Sequence, residues 1–255
     1  MKVVETNLFG VRLCSSSVAS MVDVLVRNAE KRESGYVCLA NVDMITRAKR
    51  DGKLLFAMEQ ARYVVTDGMP LVWALRRKGL SRSEQVRGSS LMRALCVRFA
   101  AEGLPIFLYG GVNQAELQLL VEKLQQLAPD IQIAGAMVPP MLPQNPPFNK
   151  DIIKTINESG AKLVFIGLGC PKQEYWMLRH SSEIQSVCIG VGLAFALIAG
   201  VKAAAPEWMQ RRGLEWMFRL FQEPRRLWKR YLVGNGLFLW YWLIERCTGS
   251  ASPVL

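Results

Sequence analysis

Short β-favouring runs recur along this chain, each closed by glycine, asparagine or aspartate and each followed by a segment with helical spacing. Residues 36–40 end at Asn41, 63–65 at Thr66-Asp67-Gly68, 105–109 at Gly110-Gly111, 162–167 run into Gly169, and 187–191 into Gly192. Between them the apolar residues recur at helical intervals, as in Val18, Met21, Val22, Leu25 and Val26, and again over 44–48, 54–61, 91–101, 113–127, 152–158 and 171–179. Parallel strands need crossover connections, and helices of this length supply them. The alternation therefore predicts an α/β fold built on a doubly wound, mainly parallel sheet. Residues 3–14 predict a hairpin before it, residues 15–17 an N-cap, 131–134 a short strand, and Gly88-Ser89-Ser90 the cap of the helix over 91–101. The proline-rich stretch 139–147 is a loop, because proline neither continues a helix nor pairs in a central strand. No internal repeat is present.

Open α/β sheets hold ligands beyond the carboxyl ends of their strands, and Asp67 falls at such a point, before a helix that Pro70 opens. A carboxylate there can take a proton from a substrate hydroxyl. It can equally bond its own turn or cap the next helix. Gly167-Leu168-Gly169-Cys170-Pro171-Lys172-Gln173-Glu174 follows a strand and opens a helix. The N–H groups of a helix start favour phosphate, Lys172 adds a point charge, and Gln173 can bond a neutral polar group. The plain alternative is a tight connection with a surface lysine. Neither this stretch nor Gly190-Val191-Gly192 completes the dinucleotide fingerprint, since the sixth places hold Lys172 and Phe195. A nicotinamide or flavin cofactor is disfavoured and none is expected. With no Asp-x-Asp and a single histidine, His180, no metal site is expected.

The formal net charge of +11 calls for an anionic partner: phosphorylated substrate, acidic lipid or nucleic acid. Much of it lies late in the chain. Between Lys202 and Arg246 there are nine Lys or Arg and four Glu, interleaved with aromatics such as Trp208, Trp216, Phe221, Trp228 and Trp240. Two helices, over 206–221 and 225–241, are expected to meet at Glu223-Pro224. This divides the chain into an α/β catalytic domain over 1–203 and a basic helical appendage over 204–255. Such a pair suits a membrane surface; the alternative is a hairpin packing its aromatics on the main body. Arg219, Arg226 and Lys229 stand seven and three residues apart and can share one face. Six scattered cysteines (Cys14, Cys38, Cys96, Cys170, Cys188, Cys247) without a Cys-x-x-Cys pair read as core residues in a reducing compartment. The amino terminus shows no secretory signal, and the apolar run 237–244 is short of the roughly 20 residues of a membrane span, so a cytoplasmic protein is expected.

Taken in order, Asn41, Thr66-Asp67-Gly68-Met69-Pro70, Tyr109-Gly110-Gly111, the Gly167 to Glu174 stretch, Gly190-Val191-Gly192, and Gly213-Leu214-Glu215-Trp216 through Arg219, Glu223-Pro224 and Arg226 resemble the WecG/TagA/CpsF glycosyltransferase family. The resemblance spans nearly the whole chain. It implies a Rossmann-like catalytic core and an inverting, metal-independent transfer of a hexose or N-acetylhexosamine from a UDP-sugar to a polyprenyl-diphosphate-linked sugar. The reaction would belong to surface polysaccharide synthesis, at the inner face of the cytoplasmic membrane. It implies that Asp67 is the general base and that Arg219 and Arg226, brought by the appendage, complete the active site. Asn41, Thr66, Gly68, Gly110, Gly111, Gly169, Lys172, Gln173, Gly192 and Lys229 are the expected substrate-binding positions. Lys229 stands where arginine is common, Leu39 where threonine is frequent and Ala196 where aspartate is usual. The last removes a carboxylate from the Gly190 end of the site.

Two other readings stay open. A non-catalytic membrane-associated adaptor derived from such a transferase would explain Ala196. A nucleic-acid-binding domain has charge alone in its favour and no motif, so nucleic acid is not an expected partner. The sequence leaves the sugar, the acceptor, the polymer and any homo-oligomer undetermined.

Overall fold

The computed structural model of the protein describes residues 3–247; the last eight positions assigned to the appendage, and the side chain of Cys247, lie outside the described residues. Eight strands form one sheet among them. A hairpin of β1 (Val4–Leu8) and β2 (Val11–Ser15) begins it, followed by β3 (Gly35–Ala40), β4 (Tyr63–Thr66), β5 (Ile106–Gly110), β6 (Ile133–Met137), β7 (Leu163–Gly167) and β8 (Val187–Gly190). Their spatial order is β1-β2-β4-β3-β8-β7-β5-β6, and every pairing except β1 with β2 is parallel.

Helices cover both faces. The chain leaving β3, β4 and β7 turns to one face, into α2 (Val42–Ala48), α4 (Met69–Arg77) and α8 (Lys172–His180), joined there by α3 (Gly52–Glu59) and α7 (Lys150–Glu158). On the other face lie α1 (Val18–Glu30), α5 (Gly88–Ala101), α6 (Gln114–Leu127) and α9 (Ala194–Ile198). Each face buries its own apolar cluster, one around Met44, Trp176 and Met177, the other around Leu91, Phe99, Phe165 and Phe195. Successors of the neighbouring strands β3 and β8 therefore diverge to opposite faces. A crevice opens between them at the carboxyl edge of the sheet. This is the doubly wound architecture that the strand–turn–helix pattern predicts.

Helix starts follow local chemistry. Ser17 and Ser20 form a reciprocal capping box on α1, Asn41 Oδ1 accepts from Met44 N–H at 3.1 Å on α2, and Asn113 Oδ1 accepts from Glu116 N–H at 2.9 Å on α6. Asp51 caps α3 through Leu54 N–H at 3.1 Å. Three expectations need correction, and one helix was not expected at all. The strand placed over 131–134 is shifted to Ile133–Met137, and α5 begins at Gly88 itself, with Arg87 at the cap position and no side-chain cap. α9 was unforeseen; its five residues carry no polar face. The helix expected over 206–221 is two, α10 (Glu207–Arg211) and α11 (Glu215–Gln222). Gly213 separates them with φ +72°, where a Cβ would lie 2.8 Å from that of Met69. A left-handed residue ends one helix and redirects the chain into the next.

α12 (Pro224–Cys247) runs back across α2 and the hairpin. Phe238 packs edge-on against Phe9 at 5.5 Å between ring centroids, Arg77 lies over the Trp242 ring, and Lys78 pairs with Glu245 at 2.7 Å. Its outer side stays apolar and uncovered: Trp240 is 60% exposed and Leu232 67%, with Phe221 of α11 at 78%. Some of the aromatics of these helices thus pack inward on the main body and others face out. Among the described residues no helix is long and apolar enough to cross a membrane.

Candidate active site

The crevice holds a cavity of about 640 Å³, in the range of small-molecule sites. β3, β4, β7 and β8 end at it, and α11 and α12 close it from above. Asn41, Asp67, Gly111, Gly169, Lys172, Gln173, Gly192, Arg219 and Arg226 all line it, so residues up to 185 positions apart in the chain converge (226 − 41). A second, smaller cavity of about 100 Å³ adjoins it and also touches Asn41, Asp67 and Arg219, with Gly68 in its wall.

Asp67 is held by its backbone on both sides. Its N–H donates to Ala40 O at 2.7 Å, and its carbonyl accepts from Gln85 Nε2 at 2.6 Å. The carboxyl is pushed up to about 7, first by burial and then by the Glu215 carboxylate; Arg219, Arg87 and the Gly88 N–H offset part of that. An acid poised near neutrality, reachable from two cavities, is what proton transfer from a hydroxyl requires.

The cations of the large cavity come from separate elements: Lys172 from α8, Lys202 from the loop after α9, Arg219 from α11 and Arg226 from α12. Glu223 accepts ion pairs from both Lys202 and Arg226, and the Lys202 contact draws its carboxyl below the ordinary range. Lys172 Nζ donates to Leu142 O at 2.8 Å and so fastens the proline-rich loop, whose Pro139 to Leu142 form one wall. Gln173 is buried with its amide engaged, Oε1 accepting from Gly169 N–H at 3.1 Å and Nε2 donating to Glu174 at 2.9 Å. It shapes the glycine turn as well as lining the cavity. Asn41 commits its oxygen to α2, so its NH₂ is what it adds to the site.

Three expected binding positions stand elsewhere. Thr66 is fully buried and donates to Glu84 O at 3.1 Å, which anchors the Asp67 turn from beneath. Gly110 does not line the cavity; a Cβ there, at φ +143°, would sit 2.6 Å from the Gly167 backbone, so glycine lets β5 and β7 meet. Lys229 is exposed, its ammonium 5.4 Å from the centroid of the Trp228 ring and away from the cavity. Three residues beyond Arg226, the helix axis has advanced about 4.5 Å past the opening. Leu39 and Ala196 both line the cavity, so the two departures noted in the sequence bear on the site itself.

Sequence reasoning missed Lys202, Arg87, Glu215 and Gln85 as parts of the site. Arg87 Nε donates to Glu215 Oε2 at 3.2 Å and its Nη2 to Gln210 O at 2.6 Å, tying the start of α5 to α10 and α11. The one available signal was the Gly213-to-Trp216 stretch that contains Glu215; nothing local marks the other three. Among the described residues no three His, Cys, Asp or Glu side chains gather as a metal site. The Glycosyl transferase WecG/TagA/CpsF family model matches residues 6–252.

Proposed function

The chain belongs to the WecG/TagA/CpsF glycosyl transferase family, and from that premise we propose an inverting, metal-independent transfer from a UDP-sugar to a polyprenyl-diphosphate-linked sugar. The chain is a glycosyltransferase of cell-surface polysaccharide synthesis. Asp67 takes the proton of an acceptor hydroxyl. That oxygen forms the new bond to the anomeric carbon as the bond from that carbon to the phosphate oxygen breaks, and UDP leaves with the electron pair. Arg219, Arg226, Lys202 and Lys172 meet the charge that develops on the departing diphosphate. The observation that carries the reading is that Asp67 and Arg219 border the same two cavities, base and cation within reach of one reacting centre. Among the described residues Asp67 is the one carboxylate that borders both cavities: Glu116 lines only the larger, Asp43 and Glu215 only the smaller, and the last two are held in ion pairs with Arg47 and Arg87. A single shared base supports single displacement, hence inversion.

Residues 204–255 act in this reading as an appendage that delivers the arginines and rests its uncovered aromatics on the inner face of the membrane, where a lipid-linked acceptor resides. Donor sugars open to it include N-acetylmannosamine, its uronic acid, glucose and galactose. Asp67→Asn is expected to abolish UDP release in the presence of a lipid-linked acceptor while UDP-sugar binding stays within a few-fold; unchanged turnover would remove Asp67 from its role. The adaptor reading retains one observation in its favour, the methyl group of Ala196 in the cavity wall. An adaptor releases no UDP with any donor.

A further inference from the structure

The smaller cavity is built from the Asp67 turn on one side and from α11 and α12 on the other. Besides the residues it shares with the larger one, its wall contains Gln85, Trp216, Tyr231 and Asn235. Gln85 is fixed there in one orientation, since its Nε2 donates to the Asp67 carbonyl at 2.6 Å. Turning the amide over would set two oxygens against each other. Its Oε1 is left set into the wall as an acceptor, with no surface open to solvent and no hydrogen-bond partner. A buried acceptor with no donor is costly and uncommon. A ligand that brings a hydroxyl donor removes that cost.

Two neighbours supply what a sugar ring also needs. Trp216 and Tyr231 stand with ring centroids 5.9 Å apart and planes at 57°, giving an aromatic corner against which the C–H face of a pyranose packs. Asn235 adds a neutral amide that can both donate and accept. The walls contributed by α11 and α12 belong to elements whose outer faces expose Phe221, Leu232 and Trp240, while the glycine turns at Gly169 and Gly192 and the cations Lys172, Lys202 and Arg226 line the larger cavity and not the smaller.

We propose that the smaller cavity is the seat of the acceptor sugar: Gln85 Oε1 accepts a hydrogen bond from one ring hydroxyl while an adjacent hydroxyl lies against Asp67 and attacks the donor held in the larger cavity. The assignment rests on the transferase reading above and adds to it which side of Asp67 each substrate occupies and which residues select the acceptor. Water in the acceptor's place would leave the donor side intact, so donor hydrolysis reports on Asp67 and the diphosphate cations without the acceptor pocket.

The test uses the full chain with short-chain prenyl diphosphates carrying glucose, galactose or N-acetylglucosamine, against UDP-glucose, UDP-galactose and UDP-N-acetylmannosamine. Gln85→Met removes the amide at nearly constant length, and Asn235→Ala alters the far wall without touching the Asp67 turn. Expected in both is a rise of about tenfold in KM for the acceptor, as for a lost hydrogen bond to a bound hydroxyl. KM for the UDP-sugar should stay within twofold in both variants, and the rate of its hydrolysis by water within twofold in Asn235→Ala. Gln85→Met also removes the hydrogen bond to the Asp67 carbonyl, so its hydrolysis rate is not held to that limit. Unchanged acceptor KM in both variants, or a rise in donor KM instead, overturns the assignment. If the wild-type chain transfers no sugar, the transferase reading itself fails. Calorimetry of the prenyl-diphosphate sugars then decides the subsite separately: saturable binding weakened in both variants supports it, and no binding overturns it.

Discussion

Replacing Glu215 by glutamine is expected to make the protein work better in mild acid. The Asp67 carboxyl stands at about 7 against an ordinary 3.8, a rise of about 3 units that costs its ionised form roughly 4 kcal/mol. Burial is the largest cause and the Glu215 charge the second. Glu215→Gln removes that charge and releases Arg87 from its 3.2 Å ion pair, and the guanidinium itself favours ionised Asp67. Both changes lower the carboxyl, together by about one unit, the low end for a like charge at close range. A general base works ionised, so kcat/KM should climb through about pH 7 in the wild type and about pH 6 in the variant. At pH 6 the ionised fraction then goes from roughly 9% to 50%, a gain of about fivefold relative to each protein's plateau. The assay is UDP release against pH from 5 to 9 at constant ionic strength. An acid limb that stays in place, or moves to higher pH, would refute the electrostatic account of Asp67.

The same carboxyl makes stability depend on pH in a predictable sense. Its folded value is raised, so the folded protein holds the proton that the unfolded chain gives up, and stability is lost as pH rises from about 4 to about 7. Asp67→Asn should therefore raise the melting temperature more at pH 8 than at pH 4.5, by a free-energy difference of at most about 4 kcal/mol and less where cavity water screens the charge. A pH-independent change in melting temperature would contradict it. Gly110→Ala drives a methyl into the Gly167 backbone at a left-handed φ and should cost about 3 kcal/mol or more in urea unfolding; an unaltered midpoint would show that the β5–β7 contact yields. Removing residues 204–255 takes away Arg219 and Arg226 yet leaves all eight strands, so circular dichroism should report a folded sheet while transfer is lost. Normal turnover by that fragment would make the appendage dispensable.

The fold was legible because each parallel strand advertises its end. Asn41, Asp67, Gly110 and Gly167 sit where a buried extended run must turn at once into a helix, and few residue types tolerate that geometry. Gly213 was present as a signal and was passed over, since the apolar spacing on either side continues across it. The candidate site was legible where it coincides with those turns, and otherwise only at Arg219 and Arg226, which the late basic segment and the resemblance marked. Lys202, Arg87 and Gln85 reach it through contacts between distant segments, and a one-dimensional pattern carries no trace of them. The reverse error has the same origin: Thr66 and Gly110 lie in the right stretches but spend their chemistry on holding the turns, and Lys229 lies on the right helix beyond the opening.

Glu223 gives the cationic wall a history before any substrate arrives. On the proposed reaction, a diphosphate entering this wall would compete with the Glu223 carboxylate, which already engages Lys202 and Arg226, and that carboxylate would return to them as the product leaves. Such a site would give up some grip on its donor in exchange for an easier parting from the product.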